Sequence, residues 1–442
     1  MEKKKLYKNH MAVHWHKMFE DANGVPALEA TLNEKASLVG RIGLIMLSCG
    51  TGAYRVRQSM NFAASFLGIT CSADIGLTTI SYTCFDGTRH ATQILTLANT
   101  GINTDKLMSM EAFVWMLEER SGEYSVEHLH AILDDIEKKK GHYGAWGVAL
   151  GAAAACAAFT YLLGGGIQEM VCAFLGAGAG QFLRKKMHEH SLTLFACIFA
   201  SVALACCVYA GSIRLAELLI GTAPGHESGF ICSMLFVIPG FPLITGGIDM
   251  AKLDLKSGME RILYALLIIL VATLTGWISA SILKVRPSEL MTPHLGFALT
   301  NVLRLIASFI AVIGFSTLYN SPPKMAAAAG IAGMFANTLR LLLIDVTPVP
   351  FSAAAFLGAF TAGMIASLIK SRLGYPRISL TVPSIVIMVP GLFMYRGLYH
   401  LSAMNLTDSG QPLVRAILIV TALPLGLITA RILTDPSFRH CS

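Results

Sequence analysis

Residues 259–283 read MERILYALLIILVATLTGWISASIL, and no charged residue follows Arg261 until Lys284. A run of that length is costly in water and matches a hydrocarbon core about 30 Å thick, so it reads as a membrane-spanning helix. Stretches of the same kind recur on both sides, at about 143–164, 167–184, 191–211, 229–248, 296–319, 325–344, 351–370, 379–399 and 413–433. Together they predict a polytopic α-helical membrane domain of about ten transmembrane helices over residues 141–442. Most classes of soluble enzyme are thereby excluded. Composition agrees, with 54% of the chain hydrophobic and 14% charged, against about 25% charged in ordinary soluble domains.

Charge is unevenly placed. Residues 1–140 hold 15 Lys+Arg against 16 Asp+Glu, net −1, while residues 141–442 hold 19 against 11, net +8. The basic residues sit in short turns between apolar runs and act as topology signals rather than as a nucleic-acid surface. With residues 1–140 cytoplasmic, the inner loops and tail carry twelve Lys+Arg, Arg184 among them, and the outer loops five, Arg286 among them. That bias, and an even number of spans, places both termini inside a cell (inner or plasma) membrane. No apolar stretch follows the basic Met1 to Lys8, so no signal peptide is expected. The ten cysteines form no CxxC pair, and most lie in apolar runs as small hydrophobes.

Residues 1–140 are expected to form a soluble α+β domain. Leu38–Leu67 has helical periodicity, but only 13 uncharged residues separate Arg41 from Arg55, too few to span. Two strands are predicted over 77–84 and 91–98, with Asp86-Gly87 as the hairpin turn. Helices follow over 105–120 and 125–140, the second ending in three lysines. The segment 212–224 is a partly amphipathic connection.

An internal repeat stands out. Val237-Ile238-Pro239-Gly240 lies within the fourth span and Met388-Val389-Pro390-Gly391 within the ninth, 151 residues later. Each Pro-Gly occupies the fourth helix of a group of five. Five is odd, so consecutive copies enter the membrane in opposite senses: two inverted repeats, 141–285 and 286–442. Inverted repeats with broken helices are a transporter signature.

Several stretches carry a family resemblance. They are Gly40-Arg41-Ile42-Gly43 and Ser48-Cys49-Gly50-Thr51-Gly52-Ala53-Tyr54-Arg55-Val56; Pro239-Gly240-Phe241-Pro242-Leu243 running into Ile248-Asp249-Met250 and Gly258-Met259-Glu260-Arg261; and Tyr375-Pro376-Arg377, Val382-Pro383-Ser384-Ile385 and Val389-Pro390-Gly391 with Tyr395-Arg396. Their order over nearly the whole chain resembles the bacterial threonine/serine exporter family. The resemblance implies efflux of small polar amino acids, and some relatives with the two halves on separate subunits imply dicarboxylates such as succinate instead.

A transporter of carboxylate-bearing solutes needs a polar site away from water. Pro239, Gly240, Pro390 and Gly391 offer backbone groups freed by helix breaks, or else simple kinks. Ionisable and amide groups within spans are costly and point to function. Asn301 with Arg304, and Asn337 with Arg340, each place an amide three residues before an arginine on one helical face. An arginine fork suits a carboxylate; pairing with Asp345 or snorkelling is the structural alternative. Asp249, Asp254 and Glu169 are the candidate proton-coupling carboxylates, Asp249 first, with a Lys252 salt bridge as its alternative role. His10, His14 and His16, and His188 and His190, lack further ligands nearby, so no metal or other cofactor is expected.

The chain therefore reads as a secondary exporter driven by proton antiport, since no nucleotide-binding motif is present. Its expected partners are a small-molecule substrate, protons, the lipid bilayer and further copies in a homo-oligomer, but not nucleic acid. The competing class is a membrane-anchored hydrolase using Cys84, Asp86, His90 and Asp105.

Overall fold

The computed structural model describes residues 13–18, 24–221, 227–284, 296–402 and 404–440. Met1 to Lys8, His10, Pro224, Arg286, Ser442 and the boundary expected at 285/286 lie outside the described residues. The chain divides into two compact units. One takes residues up to Gly141 together with Ile248–Arg261, and the other takes His142–Gly247 and Ile262 onward.

In the first unit, α1 (Leu32–Ser48) and α2 (Ala53–Phe66) precede β1 (Thr70–Ile75), β2 (Thr79–Asp86) and β3 (Arg89–Thr96), followed by α3 (Thr104–Arg120) and α4 (Val126–Lys138). The strands form an antiparallel sheet in the order β1-β2-β3. The helical stretch expected over 38–67 is thus two helices, separated at Cys49–Gly52. The expected hairpin is present with its strands two residues nearer the turn, where Gly87 takes φ +59°. β1 escapes the sequence because its inward residues Cys71 and Ala73 are too small to mark an apolar alternation. Glu34 starts α1 by accepting the Thr31 N–H at 2.9 Å, and Asn103 starts α3 by accepting the Lys106 N–H at 3.0 Å. The Tyr82 hydroxyl reaches over α1 to within 2.8 Å of the Ala36 carbonyl.

The second unit is helical. It contains α5 (Ala145–Leu162), α6 (Ile167–Glu189), α7 (Leu194–Ile220), α8 (Glu227–Cys232) and α9 (Gly240–Ala251, whose last turn belongs to the first unit). Then come α10 (Leu255–Leu283, whose residues up to Arg261 belong to the first unit), α11 (Phe297–Leu318), α12 (Pro323–Val346), α13 (Phe351–Leu373), α14 (Arg377–Val386), α15 (Gly391–Ser402) and α16 (Leu406–Thr434). Among the described residues, seven helices are long and apolar enough to cross a membrane: α5, α7, α10, α11, α12, α13 and α16. Two bent pairs raise that to nine if each is one span: Ser228–Val237 with α9 at 64°, and α14 with α15 at 51°. The remaining expected span, α6, is a continuous helix of 23 residues whose ends carry Glu169 and Arg184-Lys185-Lys186, and it stands outside that set. It packs tightly on α7, since a side-chain carbon at Gly176 or Gly180 would lie 2.7 Å from an α7 carbonyl.

A buried polar cluster in the first unit ties α1 to α4. Arg41, 1% exposed, pairs with Asp134 and Glu137 and donates to the His130 carbonyl at 3.0 Å and to His130 Nδ1 at 3.1 Å. Ser37 Oγ donates to the Glu34 carbonyl at 2.7 Å, so it accepts from His130 Nε2 at 3.0 Å. Both bonds demand the same neutral tautomer, with the proton on Nε2. Burial, then the Arg41 charge and His16, push the His130 imidazole from 6.5 down to about 3, against the opposing pull of Asp134. The unfolded chain therefore takes up a proton near pH 6.5 that the folded chain refuses. The His130 contribution to stability is complete above that pH and is lost as pH drops toward 3, with a slope of at most about 1.4 kcal/mol per pH unit. Hydrogen exchange of α4 amides, corrected for intrinsic rates, should show this loss between pH 7 and 4. His130→Gln should flatten the slope; an unchanged slope would refute the assignment.

Candidate functional site

The two Pro-Gly breaks have the same backbone. In the first, Gly240 N–H donates to the Ile238 carbonyl at 2.9 Å; in the second, Gly391 N–H donates to Val389 at 2.8 Å. Each is a γ-turn closed across the proline, whose fixed φ suits it. On the N-terminal side, Val237 N bonds Met234 O and Ile238 N bonds Leu235 O; Met388 N bonds Ile385 O and Val389 N bonds Val386 O. On the C-terminal side, Leu243 N bonds Pro239 O and Met394 N bonds Pro390 O. The correspondence holds at a constant offset of 151 residues. The breaks also pack on each other. A side-chain carbon at Gly240 would lie 2.8 Å from Val386, and one at Gly391 would lie 2.5 Å from Ile238. A cleft of about 20 Å³ beside them is lined by Met234, Ile238, Pro239, Thr273, Gly391 and Tyr395, room for about one water molecule.

Arginines reach both breaks. Arg340 on α12 donates to the Met388 carbonyl at 3.3 Å, and Arg184 on α6 donates to the Phe236 carbonyl at 3.4 Å. Arg184, expected in an inner loop, is a helical residue, and its sequence neighbours Lys185 and Lys186 hid it among loop charges. Asn337 is fully buried, and its amide donates to Ser308 Oγ at 2.8 Å. Asp345 pairs with Arg304 rather than Arg340, and Asn301 donates to the Phe297 carbonyl of its own helix at 2.9 Å. Of the two amide-arginine pairs expected to bind substrate, Asn301–Arg304 and Asn337–Arg340, the second is placed against a break.

The candidate carboxylates all have partners. Glu169 accepts from Gly166 N–H at 2.8 Å, Ser228 Oγ at 3.1 Å and Gly229 N–H at 3.4 Å. Asp254 pairs with Arg57 at 2.6 Å. Asp249, 1% exposed, pairs with Arg261 at 3.1 Å instead of with Lys252, which lies over the Tyr54 ring. Its carboxylate also accepts the N–H groups of Ala53 at 2.9 Å and Tyr54 at 3.4 Å, so it caps α2, whose own N-cap is Gly52. Arg261 donates to the Thr51 carbonyl at 2.8 Å and the Gly50 carbonyl at 3.4 Å. Nearby, Glu260 accepts Leu77 N–H at 2.6 Å.

The residues of the hydrolase alternative are engaged separately. Cys84 faces Cys71 across the sheet, Asp86 pairs with Arg89, His90 lies beside Phe85, and Asp105 pairs with Lys139. His16 lies 3.4 Å from Asp134, and among the described residues no three His, Cys, Asp or Glu side chains are gathered for a metal.

Gly52 makes the Asp249 cap testable, because a side-chain carbon there would sit 2.5 Å from Asp249 Oδ1. Gly52→Ala should destabilise the protein by about 1–3 kcal/mol, the scale of a buried charged group losing its hydrogen bonds. Thermal unfolding measures it. A second substitution, Asp249→Ala, should add little to the loss, because both remove the same cap; full additivity would contradict the cap.

Comparison with known proteins follows the same stretches. Residues 37–283 match the family described as "Putative threonine/serine exporter", and residues 304–433 match the one described as "Threonine/Serine exporter, ThrE". The chain is similar to a protein of Mycobacterium tuberculosis named "Probable threonine/serine exporter", 24% identical over 420 residues, covering 90% of this chain and 75% of the relative. It is also similar to the "Threonine/serine exporter" of Corynebacterium glutamicum, 25% identical over 430 residues, covering 90% and 83%. No solved structure matches. The clasp of Asp249 and Arg261 on Gly50–Tyr54 and both Pro-Gly breaks lie within the matched ranges, and the chain belongs to the threonine/serine exporter family.

Proposed function

We propose that this chain is a secondary exporter of small polar amino acids of the threonine/serine type, working by proton antiport in a cell membrane. The observation that carries the proposal is the pair of Pro-Gly breaks: two helix interruptions with the same hydrogen bonds, packed on each other, in a chain of an exporter family. Residues 141–285 and 286–442 are then inverted repeats, and the breaks are where a solute finds free backbone groups. Arg340, with Asn337, is the proposed carboxylate site, and Arg304 with Asn301 stands further along the same path. Asp249 is the proposed coupling group, because protonation would remove its ion pair and its α2 cap together. Asp254 and Glu169 are secondary candidates. Residues 1–140 and the tail are proposed to be cytoplasmic, and the working unit a homo-oligomer.

Efflux from proteoliposomes of labelled threonine, serine and succinate, with and without an opposing pH gradient, tests the reading. Threonine or serine flux should rise with the gradient, and Pro239→Ala and Pro390→Ala should each cut it about tenfold or more with unfolding temperature retained. Asp249→Asn should leave exchange but remove the response to the gradient. Succinate alone moving would shift the substrate class, and no gradient-sensitive flux of any solute would sink the proposal. Orientation is tested with Thr407→Cys and His190→Cys, both exposed positions. An impermeant reagent outside intact cells should label the first and not the second; the reverse refutes the orientation. Cross-linking in membranes tests the oligomer, and a monomer throughout would exclude it.

A further inference from the structure

We propose that Gln181 and Arg184 on α6 form a second solute half-site, the counterpart of Asn337 and Arg340 on α12. Each half-site takes the carboxylate of a small zwitterion on its arginine and an N–H or O–H of the same molecule on its amide oxygen. The proposal rests on the transport reading and adds its second site and its selectivity.

Three observations carry it. Each arginine donates to a carbonyl of the break in its own half, at 3.4 Å for Arg184 and 3.3 Å for Arg340, and the two acceptors, Phe236 and Met388, are one position apart in the repeat. Each arginine has an amide three residues before it on the same helical face. Gln181 is 7% exposed and Asn337 is 0% exposed. Lastly, Gln181 Oε1 and Asn337 Oδ1 are both buried with no hydrogen-bond partner among the described residues, as is Arg340 Nε. Buried polar atoms are rarely left so, and each needs an explanation. A solute that brings a donor to the amide and an anion to the guanidinium supplies one.

Supporting residues repeat too. Ser233 and Ser384, both fully buried, stand seven residues before Gly240 and Gly391. A side-chain carbon at Gly176 on α6 would lie 3.2 Å from Ser233, and one at Gly333 on α12 would lie 3.1 Å from Ser384. The second helix of each half therefore approaches its break at the same point. Asn301–Arg304 has the same spacing, and Asn301 Oδ1 is likewise buried without a partner among the described residues. Arg304 is taken by Asp345, however, so that pair offers no arginine for a carboxylate and, among the described residues, donates to neither break.

Selectivity follows from the chemistry of the pair. A guanidinium binds any carboxylate, but an amide oxygen needs a donor. A small amino acid brings an ammonium, and a hydroxyl in the threonine/serine class. A dicarboxylate dianion brings none and would leave the oxygen unsatisfied, the kind of mismatch that gives strong discrimination.

The test uses the full-length purified chain with two separate readouts: equilibrium binding of labelled threonine, serine and succinate in detergent, and flux in proteoliposomes. Arg184→Lys and Arg340→Lys should each weaken threonine binding and raise its KM about tenfold, with maximal flux and unfolding temperature retained. Gln181→Leu and Asn337→Leu should narrow the preference for threonine over succinate. Lys186→Gln, an exposed change on the same helix, should do neither. If Arg184→Lys and Gln181→Leu leave Kd and KM within about twofold of the parent, or change only maximal flux or unfolding temperature, the α6 pair is structural and the proposal falls. Binding without flux would sink the transport reading and leave the half-site standing; no binding of any of the three solutes overturns it.

Discussion

A proline in a helix of membrane length leaves backbone groups that lipid cannot satisfy, and the second unit is organised around that constraint. Pro239 and Pro390 lack the N–H that would continue the helix, and Gly240 and Gly391 turn their own N–H groups back across the proline. The turn diverts a donor from the preceding helix, and Arg184 supplies a replacement to the Phe236 carbonyl. In the second break Arg340 donates to the Met388 carbonyl, one position further along the repeat. Each cation in turn gains a polar partner in a setting where an isolated guanidinium is costly. Break and arginine thus stabilise each other, and both need a second helix able to come close. The glycines of α6 and α12 at the crossing allow that approach.

The first unit solves a related problem at the loop between α1 and α2. In Gly50-Thr51-Gly52 the glycines have no side chain, and the buried Thr51 hydroxyl has no hydrogen-bond partner among the described residues, so neither helix end is capped from within the loop. Asp249 supplies the negative group for the start of α2, and Arg261 the donors for the carbonyls of Gly50 and Thr51. A buried ion pair of this kind is tolerated when its remaining hydrogen-bonding capacity is used, which is the case here. Ser48–Val56 and, far later in the sequence, the neighbouring stretches Ile248–Met250 and Gly258–Arg261 are one piece of chemistry. Coupling by Asp249, as proposed, would act on that piece directly, because losing the charge would remove cap and ion pair at once.

The same physics explains what eluded a linear inspection. Arg184 sits in a run with Lys185 and Lys186, and three adjacent cations look like a loop until the helix is seen to continue to Glu189. Asp249 has Lys252 one helical turn away, the natural partner by spacing, yet Arg261 and the α2 amides hold it. Asn301–Arg304 and Asn337–Arg340 have equal spacing, but only the second pair meets a break, because Asp345 occupies Arg304. In each case the sequence offers two partners at similar separation, and packing selects one.

The sequence by itself determined what depends on local composition. Apolar runs of membrane length, the Asp86-Gly87 hairpin and the paired Pro-Gly interruptions are legible because hydrophobic period, turn chemistry and the missing proline N–H act within a few residues. Family membership was legible for the same reason, through short ordered stretches. Only the tertiary structure decided which charges are paired, that residues 248–261 belong with the N-terminal unit, and that Gln181–Arg184 matches Asn337–Arg340. Those outcomes depend on which helices come within about 3 Å of one another, and a buried polar group takes whichever partner that approach provides.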